Sequence, residues 1–165
     1  MCIRDSISIE YKDGVQQVIL NGENVTSLLR TEETGKMASK TSKYAAVRTK
    51  LVALQRGLAK KTDVIMDGRD IGTTVLPDAF AKIYLTASSD ARAKRRYDEL
   101  KEKGENCSFD AIKEDIEKRD YEDMHRAISP LKQADDAVLV DTSDMNIEQV
   151  VAALSKIIDE KKAGR

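Results

Sequence analysis

An α/β fold, a parallel sheet flanked by helices, is predicted by two observations. Short apolar runs at residues 64–66, 81–85 and 136–141 alternate with longer stretches of helical periodicity, the pattern of strands buried in a parallel sheet. The first run leads directly into Asp67-Gly68-Arg69-Asp70-Ile71-Gly72-Thr73-Thr74. A parallel strand presents its functional groups at its carboxyl end, so Asp67 falls where a carboxylate can hold a water of a Mg²⁺ ion. Gly68 allows backbone to approach a ligand closely, and Arg69 offers the planar fork that grips phosphate. The same residues also describe an ordinary turn with a surface salt bridge.

The whole chain narrows the possibilities. At 165 residues, one domain with a sizeable core is the default. Charged residues make up 35% and aromatics 4%, with no Trp and a formal net charge of −1. No global field therefore draws the chain to nucleic acid or a membrane, and its basic residues must act locally. Cys2 and Cys107 have neither metal-ligand spacing nor a disulfide framework, which fits a reducing compartment. No apolar run reaches the roughly 18 residues of a membrane helix, and no signal segment opens the chain. A cytoplasmic location follows.

Residues 1–6 fit nothing that follows and read as a foreign or artefactual start. Residues 7–11 alternate, Lys12-Asp13-Gly14 turns, and residues 16–20 alternate again: a β-hairpin with an Asp-Gly turn. Asn21-Gly22 marks a second turn before a short extension at Glu23-Asn24-Val25. Thr31-Glu32-Glu33-Thr34 resembles a capped helix start. One helix is expected to about Ser42, and a second from about Ala45 to Gly57 that buries Val47, Leu51 and Leu54. Ser39 and Arg48 lie on these helices; taken alone, each reads as a solvated residue.

After the strand at 81–85, Thr86-Ala87-Ser88-Ser89 leads into a helix with Arg92, Arg95 and Arg96 on one turn. Either an anion sits among these guanidiniums, or the face is solvated and neutralised by Asp98, Glu99 and Glu102. Gly104-Glu105-Asn106 ends this helix. In the next, Phe109, Ile112, Ile116, Arg119, Asp123 and Arg126 share one stripe, roughly 100° wide. The stripe changes from apolar to charged, so its second half should leave the core and line a cleft, because unpaired burial of those charges costs too much. An internal ion-pair ladder is the alternative. His125 lies off the stripe, and Ser129-Pro130 ends the helix. Thr142-Ser143-Asp144 should cap a last helix with Ile147, Val150, Val151, Leu154, Ile157 and Ile158 on its inner face.

Three stretches together carry a resemblance: Asp67-Gly68-Arg69-Asp70-x-Gly72-Thr73, Ala87-Ser88-Ser89-x-x-Arg92-x-x-Arg95-Arg96, and Arg119-Asp120-x-x-Asp123-x-x-Arg126-Ala127-x-x-Pro130-Leu131. With them, residues 7–160 resemble the bacterial cytidylate kinases, nucleoside-monophosphate kinases of the P-loop class. The resemblance implies transfer of the ATP γ-phosphoryl group to CMP and dCMP, giving CDP and ADP, with Mg²⁺. It implies a monomer in the full-length form, and from the charge balance no nucleic-acid or membrane partner is expected. Ser39, Arg48 and Asp70 look like the family's cytosine readers, and Arg69 and Arg126 like its grip on the CMP phosphate. Arg119 and Asp123 look like the ribose contacts. Asp67 is similar to the acid that holds Mg²⁺ through water. Arg95 and Arg96 lie in the segment that closes over the ATP phosphates, and with Asp67 they are the candidate catalytic residues. In the implied division, residues 7–57 are an inserted CMP-binding subdomain of hairpin plus two helices. Residues 58–165 are the kinase core, with a lid at about 89–128.

One departure is large. No G-x-x-x-x-G-K-[ST] occurs in these residues; in the family that loop, its lysine and the first core strand lie N-terminal to where this sequence starts. A further arginine for the CMP phosphate belongs there too. The expectation is an N-terminally truncated kinase, inactive alone, in which the strands at 64–66 and 82–85 lack the partner that lies between them. A non-catalytic pyrimidine-nucleotide-binding fragment is the alternative. A kinase for another small metabolite is disfavoured by Ser39, Arg48 and Asp70, which suit a pyrimidine edge. An interaction or nucleic-acid module would need a basic surface or stacking aromatics.

Overall fold

The computed structural model describes residues 7–29 and 31–164; the expected foreign start at residues 1–6 lies outside them. The chain divides into two compact units, residues 1–50 and 51–165.

In the first unit, β1 (Ile7–Lys12) and β2 (Val15–Leu20) form an antiparallel hairpin in register from Ile7 opposite Leu20 to Lys12 opposite Val15. Asp13 and Gly14 have φ of 53° and 76°, the positive pair that a two-residue type I′ turn demands. The device repeats at Asn21 and Gly22, φ 53° and 88°, where the chain reverses into β3 (Glu23–Asn24) on the other edge of β2. Helix α1 (Glu32–Thr41) starts where expected, with the Thr31 hydroxyl accepting the Thr34 amide at 3.2 Å. Helix α2 (Ala45–Ala59) follows and runs across the boundary between the units.

In the second unit, β4 (Ile83–Thr86) and β5 (Val138–Asp141) pair in parallel, from Ile83 opposite Val138 to Thr86 opposite Asp141. Two helices, α3 (Ser89–Glu102) and α4 (Phe109–His125), lie in the connection between the strands, and α5 (Ile147–Ala163) follows β5. The Ser88 hydroxyl caps α3 by accepting the Ala91 amide. At the other end Gly104, φ 76°, lets its own amide reach Lys101 O at 3.0 Å and that of Glu105 reach Leu100 O at 2.9 Å, the paired bonds of a Schellman motif. Between α3 and α4, Arg92 grips Asp120, Lys113 meets Asp90 at 2.8 Å, Ser89 donates to Glu117 and Tyr97 meets Phe109 edge-on. Lys82 Nζ meets Asp136 Oδ1 at 2.7 Å and so staples the entrances of β4 and β5.

Several expectations of burial are corrected. Residues 64–66 form no strand, and Ile65 is 98% exposed. A strand exists only through its ladder, and none of the described strands pairs with this run. The runs at 81–85 and 136–141 do form strands, but Leu85 and Leu139 are more than half exposed. A parallel sheet is normally covered on both faces; a pair of strands leaves its faces open. On α2, Val47 and Leu51 are exposed rather than buried. Helical phase aligns residues on one face without providing a surface to cover it. The same holds for Ile147 and Val151 on α5. That helix is capped by Asn146, not by Thr142-Ser143-Asp144: Asn146 and Gln149 exchange side-chain and backbone bonds in a capping box. Ser143 is engaged instead with Asp141 and the Ser88 amide. Helix α4 ends at His125, so Arg126 stands just beyond it in extended backbone. No helix among the described residues is long and apolar enough to cross a membrane.

Two outcomes test these devices. Nothing lies within 4 Å of a Cβ built on Gly104, so Gly104→Ala should cost only the left-handed backbone penalty. That is about 1 kcal/mol, read from denaturant unfolding, with Gly104→Asn costing less. The Lys82 ammonium holds the Asp136 carboxyl below its usual range. A carboxyl depressed on folding adds stability above its unfolded pKa, and that stability is lost as the pH falls through the folded value. The fall in unfolding free energy between about pH 5 and pH 2 should therefore be shallower in Asp136→Asn than in the parent.

Candidate functional site

The glycine-rich segment after residues 64–66 is shaped by an unusual turn. The carbonyl of Asp70 accepts from the amides of Thr74 (2.8 Å) and Val75 (3.2 Å), and that of Ile71 accepts from Leu76 (2.7 Å). The result is one turn of π-helix, Ile71–Val75, a form enriched at functional sites. Composition gave no signal for it. A Cβ on Gly68 would stand 3.0 Å from the Ile71 side chain, and one on Gly72 would stand 3.3 Å from that of Lys82. A side chain at Gly68 would press on Ile71, and one at Gly72 on the stem of Lys82, so either neighbour would have to give by a few tenths of an ångström. Asp70 is buried and Asp67 exposed.

Arg69, beside Asp70, donates from Nε to Asp123 Oδ2 at 2.8 Å. The other oxygen of Asp123 lies 3.6 Å from Arg126 Nη1. Asp123 is 7% exposed, and at that burial a carboxylate needs such partners. Arg126 is held in turn: its Nε donates to Ser129 O at 2.5 Å, and the Leu131 amide returns to Asp123 O at 2.8 Å. Ser129 takes φ 50° to close this loop. Two guanidiniums thus converge on one acid, leaving a positive charge among the three for a planar oxyanion to meet. The ladder of alternating charges expected as an alternative on α4 is present in this sense, but across elements rather than along the helix. Arg119, one turn before Asp123, is exposed.

The arginines of α3 are dispersed. Arg92 makes a fork with Asp120, 2.9 and 2.5 Å, and donates to Ala87 O. Arg95 donates to Thr142 Oγ1 at 3.4 Å, to Thr142 O, and to Met145 O at 3.3 Å. Arg96 pairs with Glu99 at 2.8 Å; Lys103 and Arg96 together hold the Glu99 carboxyl below its usual range. Each guanidinium has a separate partner, and of the acids expected to neutralise this face Glu99 is the one that Arg96 meets. Asp120 was given no role from the sequence, although it stands inside the quoted Arg119-to-Leu131 stretch, and Thr142 was expected only as part of a helix cap. Ser39 and Arg48 lie on α1 and α2 within residues 1–50, both half-buried, with Ser39 O accepting the Ser42 hydroxyl at 2.8 Å.

The described residues contain no group of three or more His, Cys, Asp or Glu that could hold a metal ion. Mg²⁺ usually keeps several waters and takes one or two carboxylates plus substrate phosphates. A single exposed acid such as Asp67 fits that outer-sphere role.

Fold and site define a mixed α/β protein with a guanidinium–carboxylate cluster suited to phosphate. A family profile described as "Cytidylate kinase" matches residues 2–160. A protein named cytidylate kinase from Lactobacillus gasseri is 51% identical over 160 residues, 96% of this chain and 70% of that protein. One of the same name from Enterococcus faecalis is 45% identical over 161 residues, 98% of this chain and 71% of its own length. Another, from Thermosipho melanesiensis, is 44% identical over 155 residues, 94% and 70% of the two chains. The chain belongs to the cytidylate kinase family, a family of phosphotransferases with ATP as co-substrate.

The Asp123 cluster makes a stability prediction. Asp123→Asn should lower the unfolding free energy by about 1–2 kcal/mol, a charge-assisted bond discounted because the Arg69 side chain is 43% exposed. Arg69→Gln should cost less, and the double variant should fall short of the sum. Additive costs in denaturant titration would mean that the two residues do not interact in solution.

Proposed function

We propose that the chain carries the acceptor side of a CMP kinase, for transfer of the ATP γ-phosphoryl group to CMP and dCMP. The single observation that supports this most is the convergence of Arg69 and Arg126 on Asp123 in a member of the cytidylate kinase family. In this reading Arg69 and Arg126 grip the CMP phosphate, while Arg119 and Asp123 contact the ribose. Ser39, Arg48 and Asp70 read the cytosine: a carboxylate that only accepts suits the N4 amino group. Asp123 has a second task, since it pre-orients both phosphate-binding arginines before the nucleotide arrives. Arg95 and Arg96 on α3, within the lid at about residues 89–128, serve the ATP phosphates. Arg96 can exchange its exposed partner Glu99 for an anion at little cost. Residues 7–57 form the CMP-binding subdomain and residues 58–165 the kinase core. Asp67 would hold Mg²⁺ through water, and the ion, when bound, would neutralise charge on the phosphates. The cytoplasm, where nucleoside monophosphates and ATP meet, is the proposed location.

A second reading is favoured by one sequence observation: the 165 residues contain no G-x-x-x-x-G-K-[ST] stretch. Phosphoryl transfer depends on positioning and on neutralising charge at the transferred group, with little covalent help from protein. Without a backbone cradle and lysine for the β- and γ-phosphates, CMP can bind while ATP is not aligned. Each ~1.4 kcal/mol of lost transition-state stabilisation is a factor of ten in rate. These residues alone should therefore give no measurable CMP-dependent ADP release in a coupled assay. Extension at the N-terminus with the P-loop head of a family member should bring turnover. Robust release from the 165 residues by themselves would overturn this reading and leave the kinase assignment standing.

A further inference from the structure

We propose that Arg56 is a positioning residue for Asp70, and through Asp70 for the choice of cytosine; this rests on the base-reading role proposed above. The π-turn that begins at Asp70 ends in carbonyls its own amides cannot reach, as any helical end does. Arg56, near the end of α2, takes two of them. Its Nε donates to Val75 O at 2.9 Å and its Nη2 to Thr74 O at 2.6 Å. These are the same two residues whose amides donate to the Asp70 carbonyl. Thr74 and Val75 are thus gripped from both sides: by Asp70 through their N–H groups and by Arg56 through their C=O groups. Val75 is 1% exposed, so the turn is also locked by packing and cannot slide along the fork.

The chemistry requires arginine. A guanidinium is planar and presents parallel donors that span adjacent carbonyls, whereas an ammonium is a point charge without a fixed fork. Positive charge is also favoured at the C-terminal end of a helical turn, where carbonyl dipoles accumulate. If the fork is removed, the far end of the π-turn loosens and the Asp70 backbone loses its fixed direction. A carboxylate selects an amino group over a carbonyl only while it is held at the base edge. Loosening should therefore harm CMP more than UMP. A residue that merely stabilised the unit would weaken both nucleotides alike.

The test titrates CMP and UMP calorimetrically into the 165-residue chain and its variants Arg56→Lys, Arg56→Gln, Asp70→Asn and Arg56→Lys with Asp70→Asn. Melting temperatures are followed alongside. The expected result is a CMP-over-UMP preference reduced by Asp70→Asn, reduced about three- to tenfold by either Arg56 variant, and reduced no further in the double variant than by Asp70→Asn alone. An unchanged ratio in both Arg56 variants, with Asp70→Asn effective, overturns the positioning role and leaves the base reader in place. An unchanged ratio in Asp70→Asn, or a parent that binds neither nucleotide, removes the base reader and this proposal with it. Loss of fold in both Arg56 variants makes Arg56 a general stability residue and also overturns it.

Discussion

A carboxylate as sheltered as Asp123 persists only where positive charge meets it, and most of the candidate site follows from meeting that need. Arg69 is drawn from the loop after residues 64–66, and Arg126 from just beyond α4. Helix α4 cannot continue through Arg126 and keep this arrangement; the chain turns out at that residue, and Ser129 takes a left-handed backbone to return Leu131 to the Asp123 carbonyl. One buried acid thus sets the end of a helix, the path of the following loop and the orientation of two arginine side chains. Both forks are held in place and only partly neutralised by the one carboxylate they share.

What the sequence made legible was local. Asp13-Gly14 and Asn21-Gly22 announce positive-φ turns because few other pairs tolerate them, and both hairpins form. Thr31 caps α1 because its hydroxyl needs only an amide three residues on. Asn146 and Gln149 offered the same signal, and a stronger one than Thr142-Ser143-Asp144, since the capping box is reciprocal. The charged half of the α4 stripe was legible as a polar site, and its members Asp123 and Arg126 do meet there. The π-turn at Ile71–Val75 was not legible, because Ile-Gly-Thr-Thr-Val carries no residue that selects it. Nor were the exposures of Ile65, Val47 and Leu51: an apolar pattern identifies a face, while burial needs a second surface to arrive.

The three arginines of α3 illustrate the same limit at the level of chemistry. Periodicity puts them together on α3, where they are found, but their long side chains leave the helix in different directions. Arg92 ties α3 to α4, Arg95 ties it to the loop after β5, and Arg96 stays on its own helix. Arg92 and Arg95 therefore set where α3 lies, whereas the Arg96–Glu99 pair is exposed and can be exchanged. Among them, Arg96 is the guanidinium whose partner lies on its own helix, so its release would leave the placing of α3 intact.

The described apolar core is small: Val75, Ala93 and Val140 are its buried members. Apolar contact is non-directional, so a core of this size stabilises the unit without fixing the angles between its elements. Direction comes from bonds with geometry. Lys82 with Asp136 sets the start of the strand pair, Arg95 with Thr142 sets α3 against its end, and Arg56 with Thr74 and Val75 sets the turn that follows Asp70. Each contributes little free energy, typically about 0.5–1.5 kcal/mol net. Their effect is on which of many similar packings is adopted, and a site made of three or four side chains is sensitive to that choice before overall stability is. Substitutions at these ties should therefore disturb recognition at smaller losses of stability than substitutions in the core.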